Sequence, residues 1–115
     1  MSAGGAAQDL SYVIIWEFRI RADKQAEFSR HYGPEGTWAR FFRTGEGYVR
    51  TELVKDVANP ARFLTLDHWQ SQSQFKRFRE QNRAEYERLD KEFAGLTEKE
   101  TRLGSFWIGE TQARS

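Results

Sequence analysis

A chain of 115 residues with 30% charged side chains and a formal net charge of +1 has enough length for one domain with one core. That balance supplies no strong field to draw nucleic acid or a membrane surface, so neither is expected as a partner. The absence of cysteine excludes disulfides, thiolate catalysis and cysteine-ligated metal, and fits a reducing cytoplasm.

In chain order, residues 1–10 are expected to be disordered, and they lack the basic and long apolar regions of a signal peptide. The longest apolar run, Tyr12 to Trp16, is far short of a membrane span. Ser11 to Ile20 reads as the first strand. Tyr12, Ile14, Trp16, Phe18 and Ile20 share one face, with Val13, Ile15, Glu17 and Arg19 opposite. Asp23 is placed to cap a first helix carrying Ala26, Phe28 and Tyr32. Gly33-Pro34-Glu35-Gly36 interrupts that helix, and Thr37 caps a short second segment with Trp38, Phe41 and Phe42, closed by Gly45 and Gly47.

Tyr48 to Asp56 reads as the second strand, with Val49, Thr51 and Leu53 on one face and Tyr48, Arg50, Glu52 and Val54 on the other. The short connection Val57 to Pro60 favours an antiparallel hairpin into a third strand, Arg62 to Trp69. Phe63 and Trp69 lie on one side of it, Leu64 and Leu66 on the other, as in a sheet covered on both faces. Ser71-Gln72-Ser73-Gln74 is a capping box that opens the main helix. The helix runs through Phe75, Phe78, Tyr86, Leu89 and Phe93, with a break expected near Gln81 to Arg83. Its other side carries i,i+4 charge pairs such as Glu87 with Lys91. Gly95 is expected as a C′ glycine followed by Leu96. Glu98 to Ile108 is the last strand, and residues 111–115 form a tail.

The order β-α-β-β-α-β predicts an α+β, ferredoxin-like domain over residues 11–110, with an antiparallel sheet and helices on one face. Strands that are apolar on both faces, with helices for one face alone, predict a second copy on the other: a homodimer.

Three stretches carry a family likeness: Trp16-Glu17-Phe18-Arg19-Ile20 on the first strand, Gly47-Tyr48 opening the second, and Leu66-Asp67-His68-Trp69-Gln70-Ser71 leading into the main helix. Together they resemble the antibiotic biosynthesis monooxygenase family of dimeric α+β barrels, over roughly Tyr12 to Ile108. The resemblance implies a pocket between helices and sheet, and oxygen-dependent chemistry on flat aromatic substrates without metal or flavin. One branch of the family degrades heme. Trp69 matches the tryptophan those enzymes place against the porphyrin. Arg79, however, stands where their axial histidine is expected, and the first strand has no asparagine, so heme is the less favoured cofactor reading.

Among candidate residues, Asp67 and His68 are consecutive in a strand and point to opposite faces, so they cannot form a dyad without a bulge. His68 is read as a rim or dimer-face histidine and, failing that, as a general base, since imidazole suits removal of an acidic phenol or anthrone proton. His31 is a candidate pocket residue or a partner of the negative helix end. Trp69, Trp16, Trp38 and Phe75 are candidates to wall a flat pocket, and Arg79 or Arg50 to stabilise an enolate or phenolate. Two histidines without a ligand motif predict no metal site, and Gly45-Glu46-Gly47 lacks the phosphate-loop pattern. The function expected is a cytoplasmic, cofactor-independent monooxygenase using molecular oxygen on a flat aromatic or quinol-like molecule. A non-catalytic small-molecule-binding dimer is the alternative, and heme binding or degradation the third reading.

Overall fold

The computed structural model describes residues 11–109. The expected disordered head (1–10) and tail (111–115) lie outside the described residues. The chain forms β1 (Ser11–Arg19), α1 (Gln25–Tyr32), α2 (Thr37–Phe42), β2 (Tyr48–Lys55), β3 (Arg62–Trp69), α3 (Gln72–Gln81), α4 (Arg83–Phe93) and β4 (Lys99–Ile108). The strands pair in the order β2-β3-β1-β4, antiparallel throughout, which is the ferredoxin-like α+β topology expected from the element order. No helix among the described residues is long and apolar enough to cross a membrane.

Side-chain alternation divides the sheet into two layers. Tyr12, Ile14 and Phe18 of β1 and Phe63 and Trp69 of β3 belong to a core that also contains Phe28 and Tyr32 of α1, Phe42 of α2, Phe78 of α3 and Leu89 and Phe93 of α4. Phe28 and Ile20 are fully buried, and Phe28 stacks on Tyr32 with ring centroids 4.3 Å apart. The opposite face carries Ile15, Leu64, Leu66 and Val54, with His68 paired to Glu52 and Arg62 bridging Glu17 and Asp56.

Two register shifts adjust this alternation. Between Tyr48 and Arg50 the β2–β3 ladder skips Val49, so Tyr48 joins Thr51 and Leu53 on the helix side instead of the face expected from strict alternation. The Tyr48 hydroxyl sits 2.8 Å from Thr51 Oγ1. On β4, Leu103 is skipped between Arg102 and Gly104, and Gly104 takes the positive φ (149°) that its missing Cβ permits.

The helix boundaries follow local chemistry, with three corrections. Asp23 does not cap α1: it pairs with Arg21 inside a tight turn, Ala22–Lys24, that precedes the helix. Gly36 takes the N-cap position of α2, leaving Thr37 in the first turn, where its hydroxyl meets His31. Gly95 lies within a second tight turn, Ala94–Leu96, and is not among the glycines with positive φ. The capping box is half formed: Gln74 N–H donates to Ser71 Oγ at 3.2 Å, but the Gln74 side chain accepts from the Ser71 hydroxyl at 3.0 Å instead of from the Ser71 backbone N–H. The expected break falls at Asn82, whose side-chain amide donates to the Phe78 carbonyl at 2.9 Å and diverts the backbone between α3 and α4.

Phe28 fills the space where α1 meets Phe18, Tyr32 and Phe63. Phe28→Ala should lower unfolding free energy by about 3–5 kcal/mol in a urea titration. A loss under about 1 kcal/mol would mean that the layer collapses around the gap.

Candidate active site

The middle of an inward-facing sheet is ordinarily its driest part. Here the helix-side row of β1 is tightly closed at Tyr12 (3% exposed), Ile14 (3%) and Phe18 (4%), yet Trp16 between them is only half-buried. On β3 the same interruption occurs at Asp67, half-buried between buried Thr65 and fully buried Trp69. Asp67 pairs with Ile14 and Thr65 with Trp16, so Trp16 and Asp67 are diagonal neighbours across the ladder. Both side chains are thus partly accessible on the helix side of the sheet. Tyr86 of α4 is likewise half-buried, and its hydroxyl lies within the fields of Asp67, of Arg79 on α3 and of Arg102 on β4, the cross-strand partner of Trp16.

Asp67 is the unusual group on this face. Thr51 Oγ1 donates to its Oδ1 at 2.7 Å, and the Tyr48 hydroxyl lies behind Thr51. Burial pushes the Asp67 carboxyl up to about 6, and the Thr51 hydrogen bond pulls in the other direction. No cation among the described residues offsets that burial. Burial also raises Tyr48 and Tyr86, which keeps both phenols protonated.

Trp69 is fully enclosed by Phe42, Tyr48, Phe75 and Phe78, with ring centroids 5.3–6.0 Å away. Its indole Nε1 has no hydrogen-bond partner among the described residues. A buried donor left unpaired costs about 1–3 kcal/mol, so this N–H is a feature to be explained.

The other expected site residues are dispersed. Phe75 contacts Trp69, whereas Trp16 lies four residues along β1 from the Trp69 pair, on the order of 13 Å. Trp38 packs on α2 against Phe42, Tyr32 and Tyr86. The expected single wall of Trp69, Trp16, Trp38 and Phe75 is therefore not one surface: Trp69, Trp38 and Phe75 are buried in the core, and Trp16 alone is partly accessible. His68 faces away from the helices and binds Glu52 at 2.7 Å, so alternation separates it from Asp67 and Trp69. Arg50, its cross-strand partner, shares that outer face. His31 has Nδ1 2.8 Å from Thr37 Oγ1 and its ring on Phe93, and is engaged there. Arg79 is exposed on α3, close enough to influence Tyr86 and Asp90. Among the described residues, no three His, Asp or Glu side chains cluster to hold a metal. Sequence reasoning passed over Tyr86 as a core position and treated Asp67 only as a failed partner for His68. The available signal was an acid on the same strand face as Phe63 and Trp69.

The family model for antibiotic biosynthesis monooxygenase matches residues 11–87. The chain belongs to the antibiotic biosynthesis monooxygenase family. Solved structures share the fold at low identity. SnoaB, described as a cofactor-independent oxygenase from Streptomyces nogalater, matches with a TM-score of 0.63 and 16% identity, over 88% of this chain and 95% of that one. A conserved protein from Methanosarcina mazei gives 0.63 and 12% identity over 89% and 96%. A Shewanella oneidensis protein gives 0.59 and 14% over 86% and 91%. None of the curated protein sequences matches the chain. At these identities the solved structures show the fold alone, and Asp67 with its hydroxyl partners is read from this chain.

The Asp67 shift has a thermodynamic consequence. A carboxyl raised from 3.8 to about 6 holds its proton more tightly in the folded state, so its stability contribution is lost as pH rises through about 6. Asp67→Asn should consequently melt above wild type at pH values over 6, and the gap should close as pH falls towards 4. An unchanged gap across that range would show that Asp67 is solvated as an ordinary carboxylate.

Proposed function

We propose that the protein is a cofactor-independent monooxygenase acting on a flat aromatic or quinol-like molecule held in the cleft between helices and sheet. The observation that carries this reading is the interruption of the inward sheet face at Trp16 and Asp67, a partly accessible aromatic beside an enclosed acid. Family membership supports it, as does the description of the similarly folded SnoaB as a cofactor-independent oxygenase. For a substrate with a CH2 group activated by neighbouring phenolic rings, the net change is CH2 + O2 → C=O + H2O. Loss of a proton from the substrate yields an anion that delivers electrons to oxygen, so the protein's tasks are to bind, deprotonate and stabilise.

Trp16 offers a face for the ring system, and the Tyr86 hydroxyl lies within the field of Asp67. Arg102 and Arg79 stand on the Tyr86 side, where a developing phenolate or enolate gains from positive charge. Trp69, fully enclosed with Phe75 against it, backs the site from the core. Trp38 supports Tyr86 from behind. We assign His68 to the outer sheet face and His31 to the α1–α2 junction, away from the reaction. With those imidazoles engaged and Arg79 at the helix position, the described residues present no histidine ligand for heme iron beside Trp16.

The outer face supports a homodimer. Val54 and Phe106 are 44% and 48% exposed there, beside Ile15, Leu64 and Leu66, and a second copy would cover them. Leu66→Lys should halve the mass seen in sedimentation equilibrium; an unchanged mass would exclude this face as the contact. The cytoplasm, with its reduced thiol environment, is the compartment we propose for this cysteine-free chain.

The function is tested by melting the protein with anthrones, naphthoquinols, flavonoids and hemin, followed by oxygen uptake with whichever class binds. A ligand at 100 times its Kd adds about 2.7 kcal/mol, a shift of several degrees at least. Binding with oxygen uptake is the expected result. Binding without uptake would select the non-catalytic binder, a shift with hemin alone would select heme, and no shift would remove the cleft as a ligand site.

A further inference from the structure

We propose that Asp67 is the catalytic base: its Oδ2 takes the acidic proton of a substrate lying on Trp16, Asp67 becoming a neutral acid and the substrate its anion. The inference rests on the reading of the cleft as a monooxygenase site and supplies the proton acceptor that reading needs.

Three observations converge on this carboxyl. The first is orientation. Thr51 donates to Oδ1, and the Tyr48 hydroxyl lies 2.8 Å behind Thr51. An ionised carboxylate can only accept, so the chain runs one way: Tyr48 O–H donates to Thr51, and Thr51 donates to Asp67. That fixes the carboxyl plane and leaves Oδ2 neither bonded nor sealed among the described residues.

The second observation is position. Asp67 is diagonal to Trp16 on the helix side of the sheet, where a flat substrate resting on the indole meets the carboxyl edge. The third is the absence of a competitor at the floor of the cleft. Both imidazoles are engaged elsewhere, one on the outer face and one with Thr37. From β1 the neighbours of Asp67 are the uncharged Ile14 and Trp16. From β2 they are Thr51 and the protonated Tyr48, and from α4 the protonated Tyr86. Arg79 from α3, Asp90 from α4 and Arg102 from β4 bear on Tyr86, and none of them is an ion-pair partner of Asp67.

A base at this point is well matched to its task. Burial raises the carboxyl to about 6, which strengthens it as a proton acceptor while leaving it ionised at neutral pH. The Thr51 hydrogen bond works against burial and keeps the rise within that useful range. Thr51 is thus a positioning residue that also sets the acid limb of the reaction.

The test uses 1,8-dihydroxyanthrone as the probe, with oxygen uptake for turnover and tryptophan fluorescence for binding. Wild-type turnover should rise as pH passes about 6. Asp67→Asn should bind the probe within about threefold of wild type, lose on the order of 10²-fold or more in kcat, and lose that acid limb. Thr51→Val removes a bond that favours the carboxylate, so its limb should move to higher pH while the probe still binds. An Asp67→Asn enzyme with wild-type kcat, or with the acid limb intact, would overturn the assignment. Should wild type bind the probe without consuming oxygen, the monooxygenase reading fails for this substrate class. The base is then judged by infrared difference spectra of wild type against Asp67→Asn, with 1,8-dihydroxyanthraquinone added. A carboxyl band that titrates near pH 6 and responds to the added phenol supports the proton-acceptor role. A carboxyl that ignores the ligand overturns it.

Discussion

In β3 the side chains of Asp67 and His68 leave the backbone in opposite directions, and the division of the molecule into two chemically different layers follows from that. Asp67 enters the helix side with Phe63, Thr65 and Trp69, whereas His68 joins Leu64 and Leu66 on the outer side. The strand is central in the sheet, bonded to β1 and β2, so its alternation is imposed on both neighbours. A one-residue slip would exchange the acid for the imidazole in the cleft and carry every apolar partner with it. Register is therefore both a stability matter and a chemical one.

An enclosed carboxylate without a cation is costly, and the surrounding structure limits that cost without removing it. Thr51 supplies a hydrogen bond, and the cleft leaves part of the group accessible. A lysine or arginine paired directly with Asp67 would stabilise the fold further but would hold the carboxylate ionised and make it a poorer proton acceptor. Stability and reactivity pull in opposite directions at this one position. Trp69 presents a related case: an aromatic ring with a full set of ring neighbours keeps an indole N–H that none of them can satisfy.

Much of the fold was legible because its signals are local. The capping box at Ser71 named the start of α3, and the Asn82 side chain ended it within the expected Gln81 to Arg83 window. The faces of β1 and β3 followed from alternation. Tyr48 was assigned to the wrong face because a bulge at Val49 shifts the ladder, and nothing in the residue types announces a skipped pair. Asp23, Thr37 and Gly95 each carry a side chain, or lack one, suited to a helix end, yet each took another local role once neighbouring turns were formed. Propensity ranks the candidates for a cap, whereas the geometry of the adjoining turn selects among them.

The site was less legible. Tryptophans are prominent in the sequence, and four of them suggested a single flat wall, but their distance along the strands and helices separates Trp16 from Trp69 and Trp38. What the sequence by itself determined is the element order, the antiparallel topology, the two apolar faces and the family, because periodicity, caps and short motifs are read within a few residues. Which aromatics remain accessible, which face receives Tyr48, and whether Asp67 meets Thr51 were decided only by the tertiary structure. Those outcomes depend on pairing between residues sixteen positions apart and on how closely α4 approaches the sheet. Burial, and with it the chemistry of a carboxylate, is a property of the packed layers and not of any one segment.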